Sequence, residues 1–162
     1  WDEKGTFNNC PVAAEGILRE DCPVTGLDHM RSVAYATSRI FNCLEPWVEK
    51  MNSKLDREFG LCCALLHDVG KLIEFDRDDN NVTMYSKVGK MFCHTSAGAY
   101  LVKKSGAPDS VVHGVLTHSH TEAPEGHNAY ENPELIIVKG CDLVSYESIL
   151  NAWGQPNTKM VI

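Results

Sequence analysis

The chain has 162 residues, of which 43% are apolar and 23% are charged, and its formal net charge is −7. This composition excludes a disordered chain, and the lack of any run of 18 apolar residues predicts that no segment spans a membrane. A negative chain is also a poor general binder of long nucleic acid, because the phosphates repel it. The length predicts a single domain over 1–162, with a core at about 26–151 and a C-terminal tail at 152–162.

The seven cysteines show no CxxC spacing of the kind that zinc fingers use. An odd number of unspaced cysteines fits reduced thiols better than a disulfide framework, so we expect a cytoplasmic protein. Seven histidines accompany 22 aspartates and glutamates, and this combination can hold metal ions.

The first part of the chain is predicted to be helical as far as residue 69. Its predicted helices are, in chain order, a weak one at Pro11–Glu20, then Asp28–Phe41, a short one from Pro46, and Leu55–Val69. Asp28 is the predicted N-cap of the second of these, and Pro46 suits a first helical turn. Gly70 follows the last helix as a stop signal.

Beyond Gly70 the apolar spacing changes. Two short β-type runs, 72–75 and 82–85, flank a turn-rich stretch and predict a small hairpin. Three more helices follow, at Lys90–Lys104, Asp109–Thr117 and Pro133–Asn151. The loop 119–132 is long for a compact domain, which is typical of a functional lid. The predicted fold class is all-α with one small β-hairpin.

Five separate segments place histidine or aspartate among apolar residues. The strongest signal is the pair His67-Asp68, which follows the wholly apolar run 61–66. An unpaired carboxylate buried there would be very costly, and a metal ion would remove that cost. The other members of the set lie on predicted helices or at their edges: His29, His94, His118 and Asp142. Such a set indicates one shared site.

The order of these residues resembles the HD-domain superfamily of metal-dependent phosphohydrolases, over about three-quarters of the chain. The matching segments are Asp28–Ala34, Leu65–Lys71, His94–Ala99 and Cys141–Leu143. The second segment contains the core motif in its variant with glycine and lysine, His67-Asp68-Val69-Gly70-Lys71. The resemblance implies a compact helical bundle with one small β-hairpin after this motif.

The resemblance also implies a role for each matching residue. His29, His67, Asp68 and Asp142 would bind one divalent ion. Family members that also have histidines where His94 and His118 stand usually hold a second ion, bridged by the aspartate of the motif. Fe, Mn, Co, Ni and Zn all suit this ligand set. Two such ions about 3.5–4 Å apart would lower the pKa of a bridging water, so the expected nucleophile is a metal-bridging hydroxide.

Asp68 and Lys71 are the catalytic candidates. Asp68 would orient the hydroxide, and Lys71, one helical turn past His67, would either contact a phosphate oxygen or lie in solvent. His118 is preferred as a ligand over His113 and His120, which point elsewhere or lie in the loop. These two histidines are weaker candidates for substrate binding, together with Lys71.

The expected activity is hydrolysis of a phosphate ester or phosphoanhydride in a small nucleotide-like substrate. Segments around His94 and Asp142 are similar to small bacterial hydrolases of dinucleoside polyphosphates. The stretch 70–74, the hairpin and 113–118 are similar to a nuclease module that trims RNA from its 3′ end. A further alternative is a di-iron HD oxygenase that cleaves carbon–phosphorus or carbon–carbon bonds, because the ligand order is the same. The loop after His118 lacks the Gly-Tyr-Pro element of cyclic-dinucleotide phosphodiesterases, so a cyclic-dinucleotide substrate is disfavoured.

Overall fold

The computed structural model describes residues 10–13, 17–19, 21–79, 82–119 and 132–155. Its helices there are α1 (Gly26–Lys50), α2 (Arg57–Leu66), α3 (Lys71–Glu74), α4 (His94–Lys104), α5 (Asp109–Thr117) and α6 (Pro133–Trp153). Two strands, β1 (Phe75–Arg77) and β2 (Thr83–Tyr85), lie between α3 and α4. The all-α class with one small hairpin is confirmed. None of the described helices combines the length and apolar character that crossing a bilayer requires.

Helix α1 begins with a capping box. The Thr25 hydroxyl accepts a hydrogen bond from the Asp28 N–H, and the Asp28 carboxylate accepts one from the Thr25 N–H at 3.1 Å. Thr25 is therefore the N-cap, and the prediction that Asp28 caps this helix was wrong. Threonine and aspartate both cap helices, so only the pair of reciprocal hydrogen bonds shows which of the two is the N-cap.

Helix α1 also continues through Pro46, where a separate helix was predicted. Proline removes the bond to the carbonyl four residues earlier. That carbonyl belongs to the exposed Asn42, so water can replace the missing donor.

The segment after the His67-Asp68 pair differs most from the prediction. Turns at 67–70 separate α2 from α3, and α3 covers residues that were predicted to begin a strand at Leu72. Leu72 is buried with Cys10 and Phe75 in a small apolar cluster, so tertiary packing overrides its β propensity. The predicted hairpin follows, with β1 and β2 antiparallel and Phe75 opposite Tyr85.

The remaining predicted boundaries agree to different degrees. The predicted helix Asp109–Thr117 is confirmed as α5, whereas α4 begins at His94 and not at Lys90. Helix α6 continues two residues past the predicted end, and Gly154 bridges to Leu18. The predicted helix at Pro11–Glu20 was wrong for its described residues, 11–13 and 17–19, which are not helical. Most of the predicted lid, 120–131, and the last residues of the predicted tail lie outside the described residues.

The described helices pack against one another around an apolar core. Helix α1 packs against α2 and α6, α4 packs against α5, and α3 packs against α4. Fully buried apolar side chains from these helices form the core, including Val33, Phe41, Ala64, Val115 and Val138.

Gly70 lies where α3 meets α4. Its φ of −64° is one that any residue adopts, so the prediction that Gly70 ends the preceding helix as a glycine C-cap was wrong. Glycine is needed here for space, since a Cβ would overlap the His94 carbonyl oxygen and lie 2.6 Å from the Gly98 nitrogen. The close approach of two backbones therefore depends on this glycine.

We predict that Gly70→Ala lowers the free energy of unfolding by about 3 kcal/mol, because backbone atoms cannot yield to the added methyl group. Gly140→Ala is the matched control: it lies exposed within α6, and a Cβ there meets nothing within 4 Å. This variant should gain up to about 1 kcal/mol. Urea unfolding of both variants is the measurement, and equal effects would contradict the assigned role of Gly70.

Candidate metal centre

Four of the five described histidines meet at one point. His29 lies in the first turns of α1, His67 and His118 are the C-cap residues of α2 and α5, and His94 is the first residue of α4. His29, His67 and His118 are fully or almost fully buried. The fold thus brings together the histidines that the sequence had predicted from separate segments.

The four imidazoles form two pairs. The Nε2 atoms of His29 and His67 are 3.3 Å apart, and those of His94 and His118 are also 3.3 Å apart. Asp68 lies between the pairs and is 3% exposed.

The two carboxylate oxygens of Asp68 face different pairs. Its Oδ2 is 3.5 Å from the Nε2 atoms of His29 and His67. Its Oδ1 is 3.4 Å from His94 Nε2 and 3.6 Å from His118 Nε2. Two groups of donor atoms that could hold a metal ion therefore share this one carboxylate.

Asp142 extends the first group from the facing helix α6. Its Oδ1 lies 3.0 Å from His29 Nε2 and 3.5 Å from His67 Nε2. The Asp142 side chain is 19% exposed, in contrast to the buried Asp68, so the centre opens toward solvent on this side.

The outer nitrogens of two imidazoles determine where their lone pairs point. His67 Nδ1 lies 2.8 Å from the Ala64 carbonyl oxygen, and His118 Nδ1 lies 2.7 Å from that of Val115. A carbonyl oxygen only accepts, so each Nδ1 carries a proton and the Nε2 of the neutral ring presents a lone pair to the centre.

The same result follows for His29 from a chain of hydroxyl groups. The Ser32 hydroxyl donates to the His29 carbonyl at 2.8 Å, so the 2.6 Å bond between Ser32 and Ser145 uses the proton of Ser145. Ser145 Oγ must then accept from His29 Nδ1, 3.0 Å away. In its neutral form the His29 ring consequently also carries its proton on Nδ1, and its Nε2 is the nitrogen that faces the centre.

Lys71 lies against Asp68 and not in solvent. Its ammonium donates to Asp68 Oδ2 and to the Val12 carbonyl oxygen, each at 2.7 Å. Its Nζ also lies 5.9 Å from the centre of the Tyr146 ring. The solvent-exposed alternative for Lys71 was wrong, because its side chain is only 12% exposed.

Opposite charges in this buried centre displace several pKa values. Burial raises the pKa of Asp68, but the Lys71 ammonium and the imidazoles outweigh it and lower that pKa well below the usual range. The pKa of Asp142 is lowered too, because interactions with His67 and His29 outweigh its burial. Burial lowers the pKa of His118, which favours its neutral, ligand-competent form.

The donor atoms fit a divalent transition-metal ion. Nitrogen lone pairs 3.3 Å apart repel each other unless a proton or a cation lies between them. Imidazole and carboxylate donors suit Fe, Mn, Co, Ni and Zn. The C-terminal ends of α2 and α5 also lie next to the centre, since His67 and His118 are their C-cap residues, and the partial negative charge of a helix C-terminus favours a cation.

Of the two histidines predicted as substrate contacts, only His113 lies among the described residues. His113 is half-buried on α5 and belongs to neither donor group. His120 lies outside the described residues, so its predicted role stays a prediction.

Sequence reasoning missed several residues of the centre. Ser145 and Tyr146 lie three and four positions after Asp142 in α6, so helical spacing could have indicated them. Val12 contributes a backbone carbonyl, and the sequence has no signal for that contact. Glu74 contacts His94 from the end of α3, a segment that had been predicted as a strand.

A surface cleft of about 700 Å³ lies elsewhere, at the junction of α1 and α2. Its lining consists of residues 54–58 with Glu45 and Leu61. None of these residues is a histidine or belongs to a donor group that could hold a metal ion. The candidate functional site is therefore the centre around Asp68.

A comparison with protein-family models finds the HD domain over residues 26–147. The match covers more than half of the chain, and the protein belongs to the HD domain family. HD domains are generally metal-dependent phosphohydrolases. No curated protein and no solved structure matches the chain.

We predict that the stability of the metal-free protein falls as the pH rises from 6.5 toward 9. Burial lowers the pKa of His67, but the carboxylates of Asp68 and Asp142 outweigh it and raise that pKa to about 9. A folded-state pKa above the ordinary value stabilises the fold fully below pH 6.5, and this contribution is lost as pH passes the folded value. Thermal unfolding in the presence of a chelator measures the effect.

The control for this prediction is His67→Gln, which lacks the titrating ring. Its melting temperature should change less over the same pH range than that of the wild-type chain. A wild-type melting temperature that stays level between pH 6.5 and 9 would contradict the raised pKa. Added Mn²⁺ should stabilise the wild-type chain more at pH 8 than at pH 6.5, because a metal ion must displace the His67 proton.

Proposed function

We propose that this chain is a metal-dependent phosphohydrolase that cleaves a phosphate ester or phosphoanhydride of a small nucleotide-like substrate. The observation that carries the proposal is the position of Asp68, whose two oxygens face two separate pairs of imidazole Nε2 atoms. Membership in the HD family supports a metal-dependent hydrolase.

Six side chains would hold the two divalent ions. His29, His67, Asp68 and Asp142 are the proposed ligands of the first ion, and Asp68, His94 and His118 are the proposed ligands of the second. When bound, the two ions would stabilise charge on the phosphate oxygens and lower the pKa of a water molecule.

The protein's own groups support this chemistry. Asp68 orients the donor groups from the middle of the centre, and Lys71 balances its charge at 2.7 Å. The Lys71 ammonium has three protons and donates two of them to Asp68 and Val12, so the third can reach a phosphate oxygen. The partly exposed Asp142 marks the side from which substrate would enter.

The charge of the chain favours a small substrate. The net charge of −7 disfavours extended contact with nucleic acid, whereas two bound dications would supply local positive charge for one phosphate group. All seven cysteines are free, which supports the proposed cytoplasmic location.

RNA trimming is the second candidate. The hairpin that directly follows α3 supports it, since the resemblance to the trimming nuclease includes that hairpin. The buried Lys71 beside Asp68 favours phosphate chemistry over the oxygenase alternative, because an ammonium suits a phosphate oxygen.

Metal analysis and a substrate panel test the proposal together. The purified chain, supplied with Mn²⁺ or Fe²⁺, should contain two ions and release phosphate from nucleotides. Oxygen consumption with a phosphonate or a polyol would replace the proposal by the oxygenase, and shortening of an RNA 3′ end without nucleotide hydrolysis would replace it by the nuclease. A chain without bound metal would overturn it.

We predict that Asp68→Asn lowers turnover at least about 100-fold, because several kcal/mol of transition-state stabilisation depends on correctly held ions. The substitution leaves the Lys71 ammonium without its carboxylate partner, so the double variant Asp68→Asn/Lys71→Gln serves as a second probe of the same centre. Circular dichroism verifies folding, and steady-state kinetics measures turnover. Undiminished turnover in folded Asp68→Asn would remove Asp68 from the mechanism.

We further predict that His118→Ala abolishes most of the activity, whereas His113→Ala retains it within about threefold, since His118 belongs to a donor group of the centre and His113 belongs to neither. Both residues lie in or next to α5, and only His118 contacts Asp68 and His94. Metal content measured beside kcat separates ligand loss from unfolding. A larger effect at His113 would reassign the ligand.

A further inference from the structure

Glu74 is a buried carboxylate that the proposed chemistry does not use. It ends α3 and is 5% exposed. Its backbone is held in place, because its carbonyl oxygen accepts a hydrogen bond from the Ser86 N–H at 2.8 Å. The carboxylate points to the first residue of α4, where its Oε1 accepts from the His94 backbone N–H at 3.0 Å.

The second oxygen of Glu74 faces the His94 ring. Its Oε2 lies 3.5 Å from His94 Nδ1. The other ring nitrogen, Nε2, lies 3.4 Å from Asp68 Oδ1 and 3.3 Å from His118 Nε2. The imidazole therefore stands between Glu74 on one side and the second donor group on the other.

The three other imidazoles of the centre show what this arrangement does. Their Nδ1 atoms donate to neutral oxygens, on Ala64, Val115 and Ser145. His94 instead has a carboxylate on that side, and an ionised carboxylate only accepts hydrogen bonds. Glu74 thus favours the ring form with the proton on Nδ1 and the lone pair on Nε2.

We propose that Glu74 is a positioning residue that holds the His94 ring with its Nε2 lone pair toward Asp68 and His118. This inference rests on the proposed two-metal function, because it concerns the affinity for the second ion. Carboxylates that orient a histidine ligand in this way typically change metal affinity by 10–100-fold.

The substitution Glu74→Gln tests this role specifically. Glu74 presents two acceptor oxygens to two donors, the backbone N–H and the ring Nδ1–H of His94. Glutamine has the same shape but one acceptor and one donor group. If its oxygen keeps the backbone bond, its amide group faces Nδ1 and favours the wrong ring form. A purely structural cap on α4 would survive this substitution.

Glu134 offers a matched control. It is also a buried carboxylate, 4% exposed, and it also accepts a hydrogen bond from a backbone N–H, that of Asp56 at 2.6 Å. Glu134→Gln therefore tests what the loss of a buried carboxylate that accepts from a backbone N–H does by itself.

The experiment titrates Zn²⁺ into the full chain by calorimetry, for the wild type, Glu74→Gln and Glu134→Gln. The wild type should bind two ions. In Glu74→Gln the second ion should bind 10–100-fold more weakly, with the first ion unaffected and occupancy restored by excess Zn²⁺. Glu134→Gln should match the wild type. Long-range ¹H–¹⁵N spectra of the Zn²⁺-loaded wild type should show the His94 proton on Nδ1.

The outcomes separate this inference from the proposed function. Two equally tight ions in Glu74→Gln, an equal loss in Glu134→Gln, or a His94 proton on Nε2 would each overturn the role of Glu74 alone. A wild-type chain that binds only one ion would overturn the two-metal centre and the inference with it.

Discussion

The Asp68 carboxylate is the constraint on which the rest of the structure depends. It is 3% exposed, and a charge in that position is tolerated only when partners surround it. Lys71 supplies one partner, and imidazoles from four different segments supply the others. Each of these segments must therefore keep its end within reach of one side chain.

Helix ends are well suited to this requirement. His67 and His118 close α2 and α5, and each ring binds the carbonyl three residues earlier, so the same contact caps the helix and aims the ring. Gly70 lets the backbone of α4 approach closely enough for His94 to join them. The imidazole rings of His67 and His118 are thus oriented mainly by contacts with the backbone, which are more rigid than contacts between long side chains.

The edges of the centre come from chain segments that lie far apart in sequence. The Val12 carbonyl, from the N-terminal segment, accepts a hydrogen bond from the Lys71 ammonium. The Ser145 hydroxyl, from α6, accepts one from His29 Nδ1. A backbone carbonyl can come from any residue, and a small hydroxyl can come from any serine or threonine. Helical spacing from Asp142 could have indicated Ser145, but the Val12 contact depends on how the chain packs, and residue types alone could not have predicted it.

The sequence by itself determined the helical class, the hairpin and the set of histidines and aspartates that meet. It could do so because apolar periodicity reports burial, and a polar residue on an apolar face needs partners. Only the tertiary structure decided that α1 passes through Pro46, that Leu72 is helical, and that Asp68 faces two donor groups. Local propensity is worth less than 1 kcal/mol per residue for ordinary residues, and packing in a shared core outweighs it.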